Sequence, residues 1–182
     1  LARKHVKSII QSSLQATELT QKMLAYTGNS NFRMGRHDLG QIVAEVRDRL
    51  RTSFDIDSLV VDVDDALCEL YCDLDRVRDL ITHLMINALE AVADTGGKVE
   101  IQANQQDNQI VLKVIDSGAG MQQEVLRRAF DPFFTTKFTG RGLGLSAAMG
   151  IVQGHGGDIH IESSPQAGTT VTVQLPVNGP RK

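Results

Sequence analysis

From Asp73 to Ala93 the chain runs without a glycine or a proline, and its apolar residues recur three and four positions apart. That period predicts one long helix. Val77, Leu80, Ile81, Leu84, Ala88 and Ala91 share one arc of it, a face that has to be buried on a sheet. Asp79, His83, Asn87 and Glu90 fall in a second arc of roughly 80°, at about 100° per residue. A core helix with one polar edge needs something for that edge to face. In "THLMINALEA" the carboxamide of Asn87 lies one turn after His83 and one turn before Glu90.

The segments around this helix read as a mixed set of elements. Asp38 is a plausible N-cap for a helix over roughly residues 39 to 52. "SLVVDV" and "CELYC" alternate as strands do, and "GGKVEIQAN" and "QIVLKVID" form a hairpin pair around the polar turn "QQDN". Ser117 to Gly144 carries no clear period. A helix begins near Gly144 with Leu145, Ala148, Met149 and Val152 on one face, and "GDIHIESS" and "GTTVTVQLP" close the chain as a hairpin. Strands and helices are mixed without a strict βαβ rhythm. That implies an α+β fold with helices on one face of a mixed sheet.

Residues 3 to 27 are polar and helix-forming, with a thin stripe that includes Val6, Ile9, Ile10, Leu14 and Leu24. Such a helix needs a partner helix or chain to be stable. "TGNSNFRMGRHD" reads as a turn-rich linker. The expected organisation is a helical arm over residues 1–30 and a globular domain over 31–182, of about 150 residues.

The 182 residues carry a net charge of −3, so no electrostatic footprint for nucleic acid is present. No apolar run approaches the roughly 20 residues that span a bilayer, and no membrane contact by this chain is expected. The first residue is Leu1 rather than Met, which reads as a fragment of a longer protein whose other part could hold a membrane anchor. Cys68 and Cys72 would share one strand face with Ala66 and Leu70. They are too few for a metal site and wrongly placed for a disulfide, so two buried, reduced thiols of a cytoplasmic protein are expected.

Three glycine clusters divide the second half: "DSGAG" (116–120), "GRGLGLS" (140–146) and "QAGTT" (166–170). Taken singly, each has an ordinary reading as a turn or a helix-capping loop. The second precedes a helix, where backbone N–H groups can approach a phosphate. It is neither a Walker loop, lacking "GK[ST]", nor a Rossmann turn, lacking a βαβ unit. Asp116 ends an apolar strand, and its carboxylate can accept a hydrogen bond from an exocyclic amine such as that of adenine.

"HLMINALEA", "DSGAG", "FDPFFTTK", "GRGLGLS" and "AGTTVTVQLP" together resemble, in this order, the N, G1, F, G2 and terminal G boxes of the sensor histidine kinases. These belong to the GHKL group of ATPases and kinases. The resemblance spans roughly residues 38 to 176. It implies a two-layer α/β sandwich of the Bergerat type. "ATELTQKMLAYTG" is similar to the end of the second helix of the family's dimerisation and phosphoacceptor hairpin. His5 lacks the surroundings of the phosphoacceptor box and reads as a solvated residue.

The resemblance also implies roles. Asn87 would coordinate the Mg²⁺ that bridges the ATP phosphates. Asp116 would take the adenine amine, Gly118 and Gly120 would allow close backbone approach, and Thr170 would be a water-bridged partner on the adenine side. Gly142, Leu143, Gly144 and Leu145 would offer N–H groups to phosphate. Met121 to Arg141 would be a mobile lid whose cations are Lys137 and Arg141. Phe130, Phe133 and Phe134 would anchor that lid rather than touch nucleotide, or would simply be core.

The implied activity is a protein-histidine kinase, moving the ATP γ-phosphoryl group to a histidine on a hairpin of the parent chain. The implied partners are that hairpin, a response-regulator receiver domain and a second copy in the full-length protein. Two departures stand out. His83 occupies the place of the family's usual Asn, where hydrolysing relatives carry a Glu. Poor ATP hydrolysis follows, and the alternative is a nucleotide-binding regulatory module with weak or no phosphotransfer. A serine-directed kinase of the same group fits the arm less well. Glu90 stands where many relatives carry a basic phosphate contact, and the sequence assigns it no role.

Overall fold

The computed structural model describes residues 32–54, 59–64, 66–137 and 142–180. The expected helical arm, the boundary near residue 30, His5 and Arg141 lie outside the described residues.

The first helix, α1 (Leu39–Leu50), is capped as expected: the Asp38 carboxylate accepts from the Gln41 N–H at 3.2 Å. Its Ile42, Val43, Val46 and Leu50 are buried. The long helix, α2 (Leu74–Val92), starts at Asp73, whose side chain accepts from the Arg76 N–H at 3.1 Å. Val77, Leu80, Ile81, Leu84 and Ala88 are buried on it, and so are Met85 and Leu89. The apolar face is thus wider than the predicted arc, because α1 and a later helix pack on α2 as well as the sheet. Ala91 is only half-buried, at the edge of a cavity.

A five-stranded mixed sheet has the order β2 (Leu59–Val63), β4 (Val99–Gln106), β5 (Gln109–Asp116), β7 (Thr169–Pro176), β6 (Asp158–Ser163). Only the β2–β4 pair is parallel. On β5 and β7, Ile110, Leu112, Val114, Val171, Val173 and Leu175 are buried, whereas Lys113, Thr172 and Gln174 between them are half-buried. That alternation is the pleat: one face takes the helices and the other is more polar, though Val111 and Ile115 lie on it. The register sets Asp116 opposite Thr169 at the end where β5 leaves the sheet. A short α3 (Gln123–Arg127) and then α4 (Gly144–Gly154) complete the layer. The domain is α+β, a mixed sheet with helices on one face, as the motifs implied. Among the described residues no helix is long and apolar enough to cross a membrane.

Two expectations need correction. Within the supposed linker, β1 (Met34–His37) pairs antiparallel with β3 (Leu70–Asp73), Met34 opposite Asp73 and His37 opposite Leu70. "MGRH" has no strand period of its own and is a strand by virtue of that pairing. β3 also starts later than predicted, so Cys68 lies outside it and is exposed, its N–H directed to Gln105 Oε1 at 3.3 Å. Cys72 is buried, and burial beside Asp73 pushes its thiol up to about 11. Both thiols are free, but only one is buried.

Phe32, at the entry to β1, packs ring-edge against His155 at 4.8 Å between centroids. The Arg33 N–H donates to Asp73 Oδ2 at 2.6 Å. The start of the described chain is therefore fastened to the N-terminus of α2 and the C-terminus of α4.

Candidate functional site

A cavity of about 470 Å³ opens between α2, the "DSGAG" loop, α3, the "FDPFFTTK" segment and the start of α4. Its walls are mostly apolar. Ile86, Val114, Met121, Val125, Phe134, Ile161 and Val171 contribute, a lining suited to a flat ring. The polar groups enter from few places. Asn87, His83 and Glu90 come from α2, Asp116 and Thr169 from the ends of β5 and β7, and Lys137 from the "FFTTK" segment. The polar edge of α2 faces this cavity.

Asp116 is 7 % exposed. Burial pushes its carboxyl above the usual range, opposed by hydrogen bonds from Gly118 and Thr169 and by the charge of Lys137. The Gly118 N–H donates to Asp116 Oδ1 at 2.9 Å, which aims the carboxylate as a fixed acceptor.

At the other side, α4 begins beside Asn87 and His83. A Cβ on Gly144 would sit 3.4 Å from Asn87 Nδ2 and 3.7 Å from His83 Cδ2, ordinary contact distances. The protein itself leaves room there, and the room lies at a helix N-terminus, where N–H groups lack intrahelical partners. Gly142 is different. Its φ is 65°, and a Cβ would lie 2.4 Å from the Phe133 carbonyl carbon. The Phe133 N–H donates to the Gly142 oxygen at 2.8 Å, so the loop before α4 and the "FDPFF" segment are locked together.

The described residues contain no cluster of three or more His, Cys, Asp or Glu able to hold a metal. A Mg²⁺ here would rest on the Asn87 carboxamide, with ligand phosphate and water completing its shell. Half-buried Asn87, beside the open space over Gly144, fits that demand.

His83 Nδ1 lies 2.7 Å from the Asp79 carbonyl oxygen. A carbonyl only accepts, so Nδ1 carries the proton of that bond. Lys137 Nζ lies 2.5 Å from Glu90 Oε2. Among the described residues, the cation expected for phosphate is thus held by a carboxylate of α2.

Of the predicted site residues, Asn87, His83, Asp116, Gly120, Lys137, Gly142, Leu143, Gly144 and Leu145 line this one cavity. Gly118 and Thr170 do not. A Cβ on Gly118 would meet the Ala91 carbonyl oxygen at 2.5 Å, and one on Gly120 would overlap the Ser164 carbonyl. Both glycines let backbone pack closely on backbone, and Gly120 does so at the cavity wall. Thr170 lies on the sheet face opposite Thr169 and Val171, because strand side chains alternate. Thr169 is the residue beside Asp116.

Sequence reading also missed the α3 wall. Val125 comes from α3, and Met121 and Ala129 come from the segments that flank it, so their spacing of four is not one helical period. Phe134 lines the cavity with the Arg128 guanidinium 4.2 Å from its ring, and Arg128 pairs with Asp131 at 3.4 Å. Phe130 packs on the core, while Phe133 is 56 % exposed. The three phenylalanines therefore do not share one role.

An open apolar slot, a buried acceptor at one strand end and a helix N-terminus beside a carboxamide define a nucleotide-binding domain. Comparison with known proteins gives its family. Residues 72–179 match the histidine kinase-, DNA gyrase B-, and HSP90-like ATPase family, and the chain belongs to it. It is 39% identical over 125 residues to the sensor histidine kinase ZraS of Klebsiella oxytoca, covering 69% of this chain and 27% of that protein. It is 42% identical over 107 residues to sporulation kinase D of Bacillus subtilis, covering 59% of this chain and 21% of that kinase. The chain thus spans about a quarter of the length of these relatives. The solved catalytic domain of histidine kinase ThkA superposes with a TM-score of 0.71 at 26% identity, over 80% of this chain and 97% of that one.

Proposed function

We propose that this domain binds ATP with Mg²⁺ in the cavity and passes the γ-phosphoryl group to a histidine on a helical hairpin of its parent protein. The observation that carries this reading is the convergence of Asn87, Asp116 and the start of α4 on one apolar slot. Asp116 accepts from the adenine amine, and its burial makes that bond selective, since a partner that cannot donate leaves an acceptor site of a buried carboxylate unfilled. Thr169 holds the carboxylate in place. The N–H groups from Gly142 to Leu145 and the charge of Lys137 receive the phosphates. The Asn87 carboxamide would hold a Mg²⁺, which would supply neutralisation of phosphate charge.

In the transfer, the bond between the γ-phosphorus and the ADP oxygen breaks as a bond to a histidine nitrogen forms. The acceptor imidazole in its neutral form supplies the electron pair. His83 stands where hydrolysing relatives carry a Glu that activates water, so ATP hydrolysis by the domain alone is slow. The partners of the parent are its phosphoacceptor hairpin, a second copy in a homodimer and a response-regulator receiver domain. The compartment is the cytoplasm.

The test is incubation with labelled ATP, Mg²⁺ and the separately produced hairpin of the parent. Acid-labile phosphohistidine on the hairpin is expected. Bound nucleotide with no labelled histidine would remove the transfer step.

A second reading, a nucleotide-binding regulatory module without transfer, draws on His83. Its ring lines the cavity where the family's usual residue is Asn. The His83→Asn variant separates the two. Transfer gained only in the variant favours the regulatory module, and equal transfer in both forms dismisses it.

A further inference from the structure

An acidic side chain on the phosphate side of a site for a polyanion is a physical oddity. Glu90 follows Asn87 by three residues on α2, so both project to the same side of a rigid helix. Left bare, its carboxylate would repel a triphosphate. The structure shows it engaged instead: Lys137 Nζ reaches across from the "FFTTK" segment to Glu90 Oε2 at 2.5 Å.

Two features make this contact exchangeable rather than structural. The side chains are 40% and 42% exposed, so water screens the pair and its net worth is small. The backbone that leads to Lys137 also has bonds that do not involve its side chain. The Lys137 N–H donates to Thr135 Oγ1 at 3.0 Å, and the segment is bonded to Gly142 through Phe133. Only the lysine side chain has to swing for its partner to change.

We infer that Glu90 is an exchangeable counter-ion. It holds Lys137 over the cavity in the absence of nucleotide, and gives it up to the terminal phosphates of a bound triphosphate. The inference rests on the nucleotide reading above and deepens it. A phosphate chain offers Lys137 more negative charge than one carboxylate does, so the exchange runs forward with a triphosphate. A ligand without phosphates, such as adenosine, does not reach Lys137 and leaves the pair intact. After the terminal phosphoryl group has left, Glu90 recaptures the lysine, which lowers the affinity for the product. Glu90 therefore tunes the site by phosphate count.

The experiment is calorimetric titration of the 182-residue chain at low ionic strength with Mg²⁺ and either a non-hydrolysable ATP analogue or adenosine. Wild type, Glu90→Gln, Lys137→Gln and the double variant are compared. Glu90→Gln is expected to tighten the triphosphate by about two- to fivefold, the range of an exposed ion pair, with adenosine unchanged. In the Lys137→Gln background that gain disappears. Weaker triphosphate binding in Glu90→Gln would make Glu90 a direct ligand contact and overturn the exchange. A gain that persists without Lys137 would reduce Glu90 to plain repulsion, and no change would leave it no role. A wild type that binds neither ligand would remove the nucleotide reading itself.

Discussion

The Asp73 backbone N–H donates to Nε2 of His155 at 3.0 Å, joining the N-cap of α2 to the C-cap of α4 at the end remote from the cavity. On the other side of the ring, Nδ1 lies 2.7 Å from the Ile151 oxygen. One nitrogen accepts and the other donates, so only the neutral ring satisfies both. Burial at 2 % exposure holds the imidazole below its ordinary value. The folded pKa is thus lower than the unfolded one of 6.5, and the unfolded chain takes up a proton that the folded ring refuses. Stability from this group is present above the unfolded value and is lost as pH falls through it. His155→Gln is expected to lower stability by about 1–3 kcal/mol near neutral pH. The gap between variant and wild type should narrow toward acid pH, read by thermal unfolding at several pH values. A constant gap would show that His155 does not titrate in this way.

Asp116 has the opposite sign. Its carboxyl is raised by burial, so the folded chain holds that proton more tightly than the unfolded chain, and stability is lost as pH rises through that range. Burial makes the ionised form the less favourable one for the fold. Asp116→Asn is expected to leave thermal stability unchanged or raise it. Adenine nucleotide affinity should fall by about tenfold to a hundredfold, the worth of a hydrogen bond to a charged group. Calorimetry and thermal unfolding on the same sample check both halves, and a destabilised variant would contradict the first.

Thr169 and Thr170 are neighbours in sequence on opposite sheet faces. Thr169 stands opposite Asp116 in register and supports its carboxylate through backbone N–H and hydroxyl. Thr169→Val is expected to weaken nucleotide binding by about two- to tenfold. Thr170→Val should change neither binding nor stability by more than about 0.5 kcal/mol. The reverse order of effects would return the role to Thr170.

Local signals carried most of the fold. The apolar period of α2, the alternation of β4 to β7 and the Asp38 cap are written in residues a few positions apart, and each appears where the sequence put it. What escaped was non-local. β1 exists because "MGRH" meets Leu70–Asp73, and no property of those four residues announces it. The His155–Asp73 bond joins positions 82 apart, and the Lys137–Glu90 contact joins positions 47 apart. At the site, residue type placed Asn87 and Asp116. The choice between Thr169 and Thr170 turned on strand register, where a slip of one residue reverses every side chain.

Gly142, in the loop before α4, and Gly144, the first residue of α4, stand two residues apart and should respond oppositely to the same change. At Gly142 a methyl group would be forced into the backbone of Phe133 and Phe134, at a φ of 65° that other residues avoid. Gly142→Ala is expected to cost more than about 1 kcal/mol of stability and to loosen the "FDPFF" segment. At Gly144 the methyl group meets only Asn87 and His83 at ordinary contact distances, in the first turn of α4. Alanine there also restricts the unfolded chain, so Gly144→Ala should be neutral or stabilising by up to about 1 kcal/mol. Yet it fills the space in which phosphate would approach the helix N-terminus, so triphosphate binding should fall while adenosine binding stays. Unfolding curves and paired titrations with the two ligands separate the cases. Equal loss of both ligands in Gly144→Ala would move the phosphates away from the start of α4.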